Sequence, residues 1–172
     1  MVAPSESVYR AARRAFIAAC EAAHVDPIAR LHPTRGPDGK PLFMDCAALG
    51  PRLATRAVLV TANDAAGSAI MAALLKQKPM PPKDGRLVLV HALDPAGFAG
   101  VKRDVAWPAA MLAAVATEDL SRVRELAVLP LIRAENPQGA LAATLPGSVI
   151  TLLPPVTSLR QAEAALAGFF GG

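Results

Sequence analysis

Arg56-Ala57-Val58-Leu59-Val60-Thr61 and Arg86-Leu87-Val88-Leu89-Val90-His91-Ala92-Leu93 are the two stretches that decide the fold. Each is a short apolar run rich in β-branched residues, which suits a strand covered on both faces. Between them Asn63 or Asp64 can cap a helix in which Ile70, Leu74 and Leu75 face inward, while Lys76 and Lys78 oppose the negative end of the helix dipole. Pro79, Pro81 and Pro82 end that helix. Strand, helix and strand in this order make a βαβ unit, whose right-handed crossover leaves the two strands parallel.

Toward the N-terminus, Val8, Ala12, Phe16, Ala19 and Ala23 recur at helical spacing, giving an amphipathic helix over residues 5–24 behind Ser5 as N-cap. Asp26-Pro27 stops it; Ile28 to His32 and Leu42 to Leu49 then read as a hairpin around the turn chemistry of Pro37-Asp38-Gly39. Toward the C-terminus, Asp94-Pro95-Ala96-Gly97 reads as a turn and Val105 to Ala116 as a helix with Pro108 in its first turn. Thr117-Glu118-Asp119 reads as the start of a further helix with Leu120, Val123 and Leu126 on its inner face. Strands are expected at Val128 to Ile132 and Ser148 to Leu153, and Ser158-Leu159-Arg160-Gln161 as a capping box opens a last helix through Leu166 toward Gly168. The expectation is one compact three-layer α/β domain over residues 1–172 with a mostly parallel or mixed central sheet.

The composition fits that picture: 172 residues, 53% hydrophobic and only 4% aromatic, with two cysteines. A chain of this size supports one core without disulfides, so Cys20 and Cys46 read as reduced thiols of a cytoplasmic protein. No apolar run reaches the length of a membrane span, and the charged start, with Arg10, Arg13 and Arg14, is unlike a signal peptide. The net charge of +4 is concentrated in the first half of the chain without interleaved aromatic residues, which argues against a nucleic-acid partner.

Common chemistries lack their residues. Zinc needs three or four converging ligands, and the chain offers only His24, His32, His91 and two isolated cysteines. His24 reads as a helix-end residue, His32 as exposed, and His91 as a core imidazole or, in the sharper reading, a ligand or general base. Ser68, Cys46 and Thr61 are nucleophile types outside any nucleophile-elbow sequence, and Cys46 reads as a small hydrophobe. Glu118-Asp119 suits a helix N-terminus. Gly97-Phe98-Ala99-Gly100-Val101-Lys102 lacks the glycines of a phosphate loop, but Lys102 and Arg103 follow a strand end, where open α/β sheets place ligands, and suit a small anion.

Three segments carry a resemblance: Tyr9-Arg10-Ala11-Ala12-Arg13-Arg14-Ala15-Phe16; then His32-Pro33 with Gly36-Pro37-Asp38-Gly39, Asp45 and Leu49-Gly50-Pro51; and His91-Ala92-Leu93-Asp94-Pro95-Ala96-Gly97-Phe98. Over residues 9–101 the chain resembles a bacterial family of zinc-carboxypeptidase-like hydrolases. The resemblance implies a truncated form of that fold. In the family a loop with a histidine and a glutamate binds zinc; here it is Val60-Thr61-Ala62-Asn63-Asp64-Ala65-Ala66-Gly67-Ser68, shorter and without either residue. Asp94 stands where the family has asparagine, and Lys102-Arg103-Asp104-Val105-Ala106-Trp107-Pro108 replaces its arginine- and asparagine-rich segment.

The expectation is therefore a metal-free, cofactor-free and catalytically inactive relative with a binding or assembly role. The alternatives are a hydrolase with a site rebuilt from Asp64, His91 and Asp94, and a binder of a small anionic ligand through Lys102 and Arg103. A curtailed sheet leaves an open edge, so a homodimer is expected.

Overall fold

A computed structural model describes residues 7–103, 105–133 and 137–171. Ser5 and Glu6 lie outside them. The first helix, α1 (Val8–Ala22), is capped by Ser7, whose hydroxyl accepts from the Arg10 N–H. It closes through His24, which adopts a left-handed φ of 56° while the Val25 N–H reaches back to the Cys20 carbonyl at 2.9 Å. His24 thus shapes the backbone at the helix end.

The hairpin forms as β1 (Ile28–Arg35) and β2 (Pro41–Leu49), in antiparallel register. It is followed by β3 (Arg56–Ala62), α2 (Ala65–Lys76) and β4 (Gly85–His91). β3 and β4 are parallel, as the βαβ reading requires, but β2 pairs antiparallel with β4 and not with β3. The turn leaving β2 needs Gly50, which has a φ of 96° and would bring a Cβ within 2.4 Å of the Gly85 carbonyl oxygen. The full order is β1-β2-β4-β3-β5-β6, with β5 (Glu125–Pro130) and β6 (Val149–Leu152) extending the parallel part.

Residues 95–120 depart from the sequence expectation. Asp94 caps a short helix, α3 (Pro95–Phe98), where a turn was expected. The next helix, α4 (Ala106–Asp119), runs through Thr117-Glu118-Asp119, so those residues end a helix and do not begin one. Acidic residues at a helix C-terminus oppose the dipole, and here arginines compensate them. Glu118 pairs with Arg30, and the buried Asp119 accepts from Arg86 Nη2 at 2.6 Å. Leu120, Val123 and Leu126 are buried as expected, though in a helix cap, a turn and β5. A short α5 (Gln138–Thr144) precedes β6. Ser158 caps α6 (Leu159–Phe170), while Gln161 accepts from the Thr157 N–H and not from that of Ser158.

Three layers result. On one face α1, α2 and α6 bury Phe16, Met71, Leu75 and Leu166 against Val58, Val60, Leu87 and Leu89. On the other α4 and α5 bury Leu112, Val115 and Leu141 against Leu59, Val88, Val90 and Val128. Alternate residues of each strand serve opposite layers, which is why β3 and β4 read as continuous apolar runs. No helix among the described residues is long and apolar enough to cross a membrane.

Candidate functional site

The carboxyl ends of β3 and β4 bring together side chains from two turns. Asn63 Oδ1 accepts from the Asp94 N–H at 2.8 Å, which ties the turn after β3 to the one after β4. Asp64 Oδ1 caps α2 by accepting from Gly67 N–H at 2.7 Å, and its second oxygen lies 3.6 Å from Nε of the exposed Arg133. Asp94 behaves in parallel. Its Oδ1 accepts from Gly97 N–H at 3.0 Å and its Oδ2 from Arg103 Nε at 2.9 Å. Gly97 permits that approach, because a Cβ there would sit 2.4 Å from Asp94 Oδ2.

Beside Asp94 and Arg103 lies a cavity of about 250 Å³. Leu93, Val105, Pro108, Ala109 and Leu112 form its β4 and α4 walls, and Pro137, Gly139 and Ala140 close it from α5. Lys102 is exposed next to this mouth and does not line the cavity.

His91 faces the other layer. Its ring stacks on Phe16 with centroids 4.8 Å apart, and its Nε2 lies 2.9 Å from Ser68 Oγ. Asp45, directly across the β2–β4 ladder, approaches Nδ1 at 4.0 Å, beyond hydrogen-bond range. Both Asp45 oxygens are taken by Arg13, whose Nε and Nη2 donate at 2.7 and 2.9 Å. Burial, reinforced by the Arg13 charge, pushes the His91 pKa down to about 3, so the ring is neutral at physiological pH. Serine, histidine and aspartate are the residue types of an acyl-transfer triad. Here all three are sealed, with Ser68 at 3% and His91 and Asp45 at 0% exposure, and the aspartate serves an arginine.

The structure thus joins the Asp94 turn to the Asn63-Asp64 turn through a hydrogen bond, while the His91 ring lies under α1 and α2, with Ser68 at its edge and the Phe98 ring of α3 6.0 Å away. Thr61 is buried in β3, and His32 is buried against Trp107, its ring centroid 4.6 Å away, where exposure was expected. Burial also pushes the Cys46 thiol up to about 12, which suits a small hydrophobe. Among the described residues no three of His, Cys, Asp and Glu are grouped so as to hold a metal ion. The Arg13–Asp45–His91–Ser68 cluster went unread in the sequence because its members meet only through the β2–β4 register and the packing of α1 and α2.

The molecule is a mixed six-stranded sheet between two helical layers, with a cleft at the ends of its central strands. Residues 6–105 match the model of a family described as "Protein of unknown function (DUF2817)", and the chain belongs to that family. Among solved structures it is similar to a Bacteroides vulgatus protein assigned to the Zn-dependent exopeptidases, with a TM-score of 0.56, 9% identity, and coverage of 97% of this chain and 86% of that one. Porphyromonas gingivalis glutaminyl cyclase gives a TM-score of 0.56 at 8% identity, covering 87% of this chain and 75% of that one. Against Fimbriiglobus ruber glutaminyl cyclase the TM-score is 0.47 at 13% identity; 72% of this chain is covered, and it spans only 53% of that chain's length. Identities this low show a common fold alone. No curated protein is a significant match.

Proposed function

We propose that this protein is a metal-independent binding domain on an exopeptidase-like scaffold, without hydrolytic activity. The observation that carries the reading is the employment of the acids at the strand ends. Asp64 caps α2 and pairs with Arg133; Asp94 caps α3 and pairs with Arg103. A zinc ion that activates water needs about three converging protein ligands and an open position. The described residues do not fit such an ion: the two carboxylates are engaged elsewhere, and His91 is fully buried with its Nε2 against Ser68. The same engagement argues against a hydrolase rebuilt from Asp64, His91 and Asp94.

The test is metal analysis of protein purified with zinc in the medium, alongside the His91→Ala variant. Substoichiometric zinc in the wild type is the expected result. Stoichiometric zinc that is lost in the variant overturns the reading.

The assembly part of the proposal is a homodimer. It is supported by β6, a four-residue edge strand with Val149 65% and Leu152 37% exposed. Light scattering across a concentration series is expected to show a dimer; one monomer peak at every concentration rejects it.

A further inference from the structure

We propose that the cleft between the outer end of β2, the start of β4 and the end of α4 is a ligand site for a small zwitterion, an α-amino acid with a short apolar side chain. The inference rests on the reading of the chain as a binding domain and names what it binds. The cleft lies at the opposite end of β4 from Asp94.

Strand pairing makes the space. β1 begins at Ile28, opposite Cys46, whereas β2 runs on to Leu49 with β4 as its only neighbouring strand. The sheet is therefore one strand short beside Ala47 and Ala48, where the residues that link α1 to β1 pass as a loop. Cys46 and Ala48, the β2 side chains that join the α4 layer, are small. What remains is a cleft of about 260 Å³, with Val25 and Ile28 supplying hydrocarbon to its wall. At ~30 Å³ per small group the space corresponds to about eight non-hydrogen atoms, the size of valine.

The cleft also holds polar groups that the protein leaves unmatched. Arg86 and Asp119, 5% and 6% exposed, form a buried ion pair that ties the start of β4 to the end of α4. Arg86 donates to the Gly50 carbonyl and to Asp119 Oδ1, while its Nε has no partner. Asp119 Oδ2 accepts no hydrogen bond among the described residues. Buried polar atoms without partners are costly, so a ligand that donates to Asp119 offsets a penalty already present. Asp119 is also the last residue of α4, where the negative end of the helix dipole favours a cation.

The rim supplies the opposite charge. Arg52 lies there exposed, with no hydrogen bond or ion pair among the described residues, and the same holds for Asp26. Arg52 and Arg86 thus balance Asp26 and Asp119, and the cleft carries no net charge. A simple anion or cation meets as much repulsion as attraction there, whereas a molecule with both charges meets a partner for each. The ammonium donates to Asp119 Oδ2, and the carboxylate takes the planar donor fork of Arg52.

Titration calorimetry with L-valine, 3-methylbutanoate and isobutylamine tests this, since the last two are valine without its ammonium and without its carboxylate. Valine is expected to bind at least about tenfold more tightly than either, the gain of one hydrogen bond to a charged group. Arg52→Gln should bring valine down to the level of isobutylamine without changing isobutylamine itself. Asp119→Asn, which keeps an acceptor for Arg86, should abolish the advantage of valine over 3-methylbutanoate. Because that variant disturbs a buried pair, Ala48→Leu, at a half-buried position of β2, tests the place independently. It should fill the cleft and remove valine binding, with folding confirmed by circular dichroism. Valine binding that survives Ala48→Leu overturns the site, and an analogue that binds as well as valine overturns the zwitterion. Zinc measured on the same preparation separates the two levels: metal-free protein that does not bind valine sinks the ligand alone, whereas stoichiometric zinc sinks the underlying reading.

Discussion

His91 and Asp94 are three residues apart, yet they belong to opposite regimes of the molecule. His91 is sealed under α1 and α2, with Phe16 on its face and Ser68 and Asp45 at its edges. Asp94 sits beside a cavity, joined to an arginine that is mostly in water. Between them Ala92 takes a φ of 55°, a left-handed conformation that non-glycine residues rarely adopt, and the chain leaves the sheet there. The lesson is that polar residues clustered in sequence at a strand end, though both buried, differ in what they are tied to: His91 to other sealed side chains, Asp94 to a helix end and an arginine that reaches water. On one side His91, Ser68 and Asp45 are all withdrawn from water; on the other the acid is withdrawn and its arginine is not.

The sharpest way to break this contrast is Arg13→Ala. It leaves the fully buried Asp45 carboxylate without its partner, and loss of one member of such a pair costs about 3–5 kcal/mol. Urea denaturation measures it, and a loss no larger than that of an ordinary surface substitution would show that the sealed side is not structural.

Acid should expose the same cluster. The His91 pKa is about 3 in the folded protein, well below that of a free imidazole. Between pH ~6.5 and the folded value the unfolded chain takes up a proton that the native state refuses. Stability therefore falls as pH drops through that window, by up to ~1.4 kcal/mol per pH unit from this group, and levels off below the folded pKa. Denaturation at pH 7 and pH 5 should show a loss of about 2 kcal/mol in the wild type that His91→Gln largely removes.

Ser68→Ala sharpens the contrast at a single contact. Removing the hydroxyl strands the buried Nε2 of His91 at a cost of about 1–2 kcal/mol, read from the denaturation midpoint. Arg103→Ala should matter least to stability, about 1 kcal/mol, because Arg103 is mostly in water and the buried Asp94 carboxylate keeps the Gly97 N–H. If it destabilised the protein as much as Arg13→Ala, the two sides would not differ in kind.

The elements up to Asp94 were legible because local rules agree there. β3 and β4 carry the apolar continuity of strands covered on both faces, α2 has its Asp64 cap, and the prolines mark its end. Residues 106–130 were not, because two local signals compete. Thr117-Glu118-Asp119 has the composition of a helix start, and only Arg30 and Arg86, distant in sequence, make those acids acceptable at a helix end. The candidate site divides in the same way. Asp64 announces itself as a cap ahead of an apolar helix, whereas Asp94 before Pro95 and Gly97 reads as a turn, and Arg103 follows a strand end. The fate of His91 depended on which layer its ring joins, and that is set by the antiparallel docking of β2 against β4.

That docking has a consequence for synthesis. Because β2 lies against β4, with β3 on its far side, the β1–β2 hairpin emerging from a ribosome has α1 beside it but no strand along β2's second edge until the whole of α2 and β4 has followed. Met44 and Cys46, whose core partners lie in β3, β4 and α4, must wait uncovered through that interval, so the nascent N-terminal third is the portion most in need of chaperone shelter.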